Sequence, residues 1–186
     1  MAALADRNRH YADGGRWRQT PRLPFLPHQG LYVIACVDAR TDPALFLELE
    51  FADVIVARTI GGRVTPAVIQ DLAYIGYLVE AKAPEGPYFE VAIIHHSDCG
   101  SGLLADEELR HGFAQRAGYD EEELAKLPVL DPAATVKADA KRLLGDPRIS
   151  QRITISGHVY DVHTGLVTTV VDAAPPRMAT GEGQAR

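Results

Sequence analysis

Three apolar runs of strand length, LYVIACV (31–37), ADVIVARTI (52–60) and YFEVAIIHH (88–96), alternate with segments punctuated like helices. LYVIACV is uninterrupted, which marks a strand covered on both faces, the usual condition in a parallel sheet. TDPALFLELEF (41–51) reads as a helix, with Thr41 or Asp42 as its cap and Pro43 in its first turn. TPAVIQDLAYIGYLVEA (65–81) reads as a longer one, capped by Thr65 and opened by Pro66, with Val68, Ile69, Leu72, Ala73 and Ile75 at helical spacing. Two further helices are expected at about 104–117 and 132–144, followed by a strand at RITISGHVYDV (152–162), a turn at HTG and a short last strand at LVTTVV (166–171). The alternation specifies an α/β fold. Its centre is a mostly parallel sheet of about four parallel strands plus an antiparallel edge strand, flanked by helices.

The ends of the chain read differently. ALADRNRHYA (3–12) is a short helix that stops at Gly14 and Gly15, and WRQTPRLPFLPHQG (17–30) is a proline-punctuated extended arm. Trp17, Leu23, Phe25 and Leu26 make that arm too apolar for a free linker, so it is expected to pack. AAPPRMATGEGQAR (173–186) has the composition of a disordered tail. Residues 1–172 are thus expected to form one domain, with 1–30 as its N-terminal helix and arm, which suits a chain of 186 residues that is 46% hydrophobic.

A net charge of -6 argues against a nucleic-acid partner, which needs a basic face. No apolar run approaches the roughly 18–20 residues of a membrane span, and MAALADRNRHYADGG lacks an apolar signal core. The expected location is the cytoplasm, with no membrane partner. A disulfide is improbable there, so the two cysteines point to metal binding, catalysis or core filling.

In a parallel sheet the chemistry gathers beyond the carboxyl ends of the strands. Cys36, the segment Thr59–Gly62 and the segment His96–Cys99 all fall at such ends. A catalytic zinc takes three protein ligands from thiolates and imidazoles and leaves its fourth position open. Cys36, Cys99 and one of His95 or His96 would make that set, and strand alternation turns His95 the other way. Singly, a buried cysteine is more often a small hydrophobe. Both cysteines of the chain at strand ends favour the metal. In Cys36-Val37-Asp38-Ala39-Arg40 the alternation puts Cys36, Asp38 and Arg40 on one side, where a carboxylate held ionised by an arginine can accept a proton from water.

Together, Cys36-Val37-Asp38-Ala39-Arg40 and His96-Ser97-Asp98-Cys99-Gly100 resemble the paired C-x-D-x-R and H-x-x-C-G motifs of the β-class carbonic anhydrases. The resemblance runs over roughly residues 5–171 and includes the closing GHVYDVHTGLVTTV. It implies one zinc ion per subunit on Cys36, His96 and Cys99, with Asp38 and Arg40 as a catalytic dyad beside it. It also implies a pocket lined by Thr59, Ile60, Gly61, Gly62 and Gly100, and an obligate dimer, or dimer of dimers, with the N-terminal helix and arm wrapped around the partner. The implied reaction is reversible hydration of carbon dioxide to bicarbonate. The aspartate of such a site can also turn onto the metal. Where the family commonly reads R-N-A-G-G, this chain has Arg58-Thr59-Ile60-Gly61-Gly62, a more apolar pair beside the site. Repacking explains that pair, and so does a substrate such as carbonyl sulfide or carbon disulfide, which relatives of this fold hydrolyse. Two rivals are a non-catalytic zinc-binding dimer and a redox pair of Cys36 with Cys99. His95, His111 and His163 are proton-carrier candidates by titration range alone.

Overall fold

The three apolar runs become three adjacent parallel strands of one five-stranded sheet. The computed structural model describes residues 1–19, 27–83, 85 and 88–176. Its strands are β1 (Leu31–Cys36), β2 (Val54–Thr59), β3 (Glu90–His96), β4 (Thr154–Tyr160) and β5 (Val167–Ala174), in the order β2-β1-β3-β4-β5. β1 pairs in parallel with β2 and β3, β3 pairs in parallel with β4, and β5 runs antiparallel along β4. This is the sheet expected from the sequence: four parallel strands and an antiparallel edge. The helices are α1 (Ala2–Asp13), α2 (Pro43–Phe46), α3 (Pro66–Lys82), α4 (Glu107–Ala117), α5 (Glu121–Leu124) and α6 (Pro132–Leu144). None among the described residues is long and apolar enough to cross a membrane.

The main core lies on one face of the sheet. Ile34, Val91, Ile93 and Ile155 meet Val68, Ile69, Leu72 and Val79 of α3 and Val136, Ala140 and Leu143 of α6. The spacing of the α3 residues is the helical one read from the sequence, and Thr65 caps that helix through the Val68 N–H. The other face carries a smaller cluster, Val33, Ala35 and Ile94, against which Phe46, Leu47 and Tyr160 pack. α6 packs against β4 at Gly157, where an added Cβ would run into Val136 Cγ1 and press on Val171. Gly157→Ala is therefore expected to destabilise the fold by about 1–3 kcal/mol through overpacking. Urea unfolding measures this, and an unchanged midpoint would contradict the packing described.

Three segments differ from expectation. The helix expected over 41–51 is confined to Pro43–Phe46, capped by Asp42, whose Oδ1 accepts from the Ala44 N–H. Glu48 and Ala52 take positive φ angles of 50° and 67°, which a helix cannot continue through. The early turn lets Phe46 stack on Tyr160, with ring centroids 4.2 Å apart. The helix expected at 104–117 is a 3-10 turn, Gly100–Ala105, followed by α4 with Asp106 as its cap. β5 runs to Ala174, two residues into the stretch read as a tail; residues 177–186 lie outside the described residues. Of the proline arm, Trp17 stands in a 3-10 turn (Arg16–Gln19), half exposed, with its indole N–H on Ala12 O; Leu23, Phe25 and Leu26 fall outside the described residues.

The strand order places β1 between β2 and β3, so the connection from β1 to β2 runs one way across the sheet and that from β2 to β3 runs back the other way. The crevice that opens where an order reverses is where open α/β sheets bind ligands. Cys36 ends β1 there, and His96 ends the neighbouring β3.

Candidate metal centre

Cys36, His96 and Cys99 each present one ligand-type atom, and these atoms all lie within 4.8 Å of one another. Both cysteines are free, with Sγ atoms 3.9 Å apart. That separation is far beyond a disulfide bond of about 2.0 Å. It suits two thiolates on one ion at about 2.3 Å each. His96 Nδ1 donates to Ser97 O at 2.9 Å, which leaves the lone pair on Nε2. Nε2 is buried and has no hydrogen-bond partner. Leaving such an atom unsatisfied costs on the order of 1–3 kcal/mol. A metal ion would satisfy it, and the carbonyl on the other ring nitrogen is the usual device for aiming a ligating imidazole. The donor set therefore fits a divalent metal of borderline softness.

The sulfurs are surrounded by donors that favour thiolates. The main-chain N–H groups of Asp38, at 3.4 Å, and of Gly61 point at Cys36 Sγ. Ser101 Oγ accepts from the Val129 N–H and lies 3.2 Å from Cys99 Sγ, leaving its own hydrogen for the sulfur. The bond between the two cysteines pulls the Cys99 thiol down against the effect of burial, with His96 and Ser101 assisting. The same bond, with burial, pushes Cys36 up. Loss of one proton from the pair is favoured, and a bound cation would displace the second. Burial lowers the His96 imidazole, but Cys99, the Ser97 carbonyl and Asp38 together outweigh it and the net direction is upward.

Beside this cluster Arg40 grips Asp38. Arg40 Nε lies 3.1 and 3.3 Å from the two carboxylate oxygens, Nη2 lies 2.7 Å from Oδ2, and the Arg40 N–H donates to Oδ1 at 2.9 Å. These bonds hold Asp38 at about 2, well below the usual carboxylate range, so it is ionised at neutral pH. Asp38 and Arg40 thus meet as their spacing implied.

Two partners of this arrangement were not singled out from the sequence. Arg58, near the end of β2, donates to Cys36 O at 2.8 Å and to Asp38 O at 2.6 Å, bracing the turn between them. Asp98 receives Arg40 Nη1 at 2.8 Å. Arg58 stands in the quoted RTIGG segment, but which carbonyls it reaches depends on the β1–β2 register, Cys36 opposite Thr59.

The expected pocket residues fall around the same crevice. Gly61 and Gly62 have φ angles of 71° and 68°. A Cβ on Gly62 would press on main-chain atoms of Ala35, Cys36 and Ile94, so a side chain is excluded where the turn crosses the strand ends. Thr59 donates its hydroxyl to Arg63 O at 2.8 Å, so that hydrogen is not free for a substrate. Ile60 is 58% exposed, and a Cβ on Gly100 would meet nothing. Of the three histidines, His95 is fully buried on the opposite side, 2.8 Å from Thr135 Oγ1 and bonded to Gly62 O. His111 is bonded to Glu121. His163 is exposed, and its field reaches the carboxylates of Asp98 and Asp161.

Comparison with known proteins agrees with this geometry. The family model described as carbonic anhydrase matches residues 31–167. Beta-carbonic anhydrase 1 of Mycobacterium tuberculosis is 26% identical over 148 residues, covering 80% of this chain and 86% of that protein. A carbon disulfide hydrolase of Acidithiobacillus thiooxidans is 24% identical over 188 residues, covering 90% and 87%. The crystal structure of a carbonic anhydrase from Streptococcus mutans superposes with a TM-score of 0.72 at 31% identity, covering 91% of this chain and 96% of that one. With the family model spanning both motif-bearing loops and the strands that present them, the chain belongs to the β-carbonic anhydrase family.

Proposed function

We propose that the chain catalyses zinc-dependent, reversible hydration of carbon dioxide to bicarbonate and a proton. The observation that carries this reading is the partnerless, buried Nε2 of His96 facing two sulfurs, with an ionised Asp38 held beside them by Arg40. Zinc, one ion per subunit on Cys36, His96 and Cys99, would supply the Lewis acidity that makes water a nucleophile near neutral pH.

The chain's own groups do the rest. Asp38 accepts a hydrogen bond from the attacking water and so turns an oxygen lone pair toward the carbon. Arg40 fixes the carboxylate and keeps it ionised, while Arg58 holds the backbone on which it stands. One carbon–oxygen bond forms, one carbonyl electron pair moves to oxygen, and a proton leaves for solvent. Of the three histidines considered for that transfer, His163 is the exposed one not bonded to a carboxylate through its ring among the described residues. A redox role would need the sulfurs to close from 3.9 Å and would leave His96 Nε2 without a partner.

The working unit in this reading is a dimer or a dimer of dimers. From Leu4 to Asp13 every residue of α1 is exposed, although an isolated helix of 12 residues is marginal in water. A second copy would supply the surface that α1 lacks.

A second substrate class is favoured by two observations: the spent hydroxyl of Thr59 and the exposed Ile60 offer a linear substrate apolar contact rather than hydrogen bonds. Carbonyl sulfide and carbon disulfide have that character. Stopped-flow carbon dioxide hydration and sulfide release from both sulfur substrates, on one zinc-loaded sample, decide the main activity. Fast hydration supports the first reading; negligible hydration with brisk sulfide release replaces it with the second. If Ile60 sets the preference, Ile60→Ala lowers sulfur-substrate turnover by about tenfold, the lower end of what apolar pocket contacts contribute. An unchanged preference among the three substrates would remove Ile60 from the account.

A further inference from the structure

Arg40 does not serve Asp38 alone. Its Nη1 reaches Asp98 Oδ2 at 2.8 Å, and its Nη2 reaches Asp98 O at 2.8 Å while also holding Asp38. One guanidinium thus ties the turn after β1, which follows Cys36, to the turn after β3, which carries Cys99. Asp98 stands at a φ of 53°, in the left-handed region that aspartate and asparagine tolerate better than most residues. That twist offers both its carboxylate and its carbonyl to the same arginine.

Asp38 has two competing partners. One is Arg40; the other is a metal on the neighbouring donors, because a carboxylate is itself a good zinc ligand. Asp38 is two residues from Cys36, and its own N–H points at Cys36 Sγ. What keeps the carboxylate on the arginine is therefore whatever keeps the arginine in place.

We propose that Asp98 is a positioning residue: by anchoring Arg40 across the two turns, it holds the Asp38 carboxylate off the metal and leaves the fourth ligand position open. This rests on the reading of the site as a metal centre. Both acidic side chains are then needed, Asp38 to act and Asp98 to prevent it from acting as a ligand.

The test uses cobalt-loaded protein, whose thiolate-to-metal absorption reports the coordination sphere, titrated with thiocyanate as a probe of the open position. Asp98→Asn keeps the size of the side chain and its tolerance for left-handed backbone while removing the charge. An exposed ion pair moves an equilibrium by about fivefold at most, so the thiocyanate Kd is expected to rise about threefold to fivefold. Loss of a negative charge near an anion site would by itself lower that Kd, so a rise has the opposite sign to a charge effect. In an Asp38→Ala background no carboxylate competes for the position, and adding Asp98→Asn there should leave the Kd unchanged or lower. An unchanged or lowered Kd in the single variant overturns the proposal, as does a rise that persists in the double variant. Absence of thiolate-to-cobalt absorption in the unsubstituted protein would instead overturn the metal-centre reading, and the proposal with it.

Discussion

Cys99→Ala is expected to weaken zinc binding by about 10²- to 10³-fold and to abolish turnover at ordinary zinc concentrations. Four-ligand structural zinc sites bind with roughly 10–16 kcal/mol, so an even share is about 2.5–4 kcal/mol per ligand. The Sγ of Cys99 lies against Cys36 Sγ and Ser101 Oγ, with the His96 imidazole close by, surroundings that favour the thiolate a metal needs. Its removal leaves Cys36 without the partner 3.9 Å away and returns His96 Nε2 to a site with one sulfur. Cys99 lies outside both hydrophobic clusters, at the start of a turn, so the fold should survive the change. Competition with a chromophoric chelator gives the affinity, and a urea midpoint close to that of the unsubstituted protein excludes unfolding as the cause. Zinc affinity within about threefold of the original would mean that Cys99 is not a ligand.

Asp38→Ala should behave differently: zinc is retained and kcat falls by about 10²- to 10³-fold, within the range ascribed to a positioned acid–base group. The carboxylate is placed to act on the attacking water, an interaction made in the transition state, so kcat is expected to fall more than KM rises. Arg40 keeps a partner in this variant, because Asp98 still accepts from Nη1. The loss therefore belongs to Asp38 and not to a collapsed turn. Metal analysis showing one zinc per chain alongside depressed kcat is the expected pair of results. Turnover close to that of the unsubstituted protein would leave the dyad with a structural role only.

The contrast between these residues and their supports shows what a sequence can carry. Cys36, Asp38 and Arg40 are separated by single residues, and His96 and Cys99 by two, so proximity within each motif is written in the chain itself. The strands were legible because LYVIACV and VAIIHH bury both faces, and the meeting of the two motifs follows from adjacent parallel strands. Contacts between turns are another matter. The bond from Arg40 to Asp98 needs a left-handed residue and a particular distance between turns, neither encoded by spacing. Arg58 reaches the Cys36 and Asp38 carbonyls only because β2 pairs with β1 in one register.

α2 shows tertiary packing overriding local preference. TDPALFLELEF has the cap, the proline and the apolar content of a longer helix. The chain turns at Glu48 instead, where Phe46 can stack on Tyr160 and Leu47 can join the small cluster on the second face. His95 followed alternation: it turns from the crevice into the main-core side, where Asp139 Oδ2 lies 3.4 Å away and Arg63 holds the same carboxylate.

The most direct test of the central claim is stopped-flow carbon dioxide hydration by the protein as purified, after chelation, and after zinc is restored, with metal counted in each sample. Turnover that disappears on chelation and returns in proportion to zinc, saturating at one ion per chain, is the predicted result. Full hydration activity in the stripped protein, or none in protein holding one zinc per chain, would contradict it.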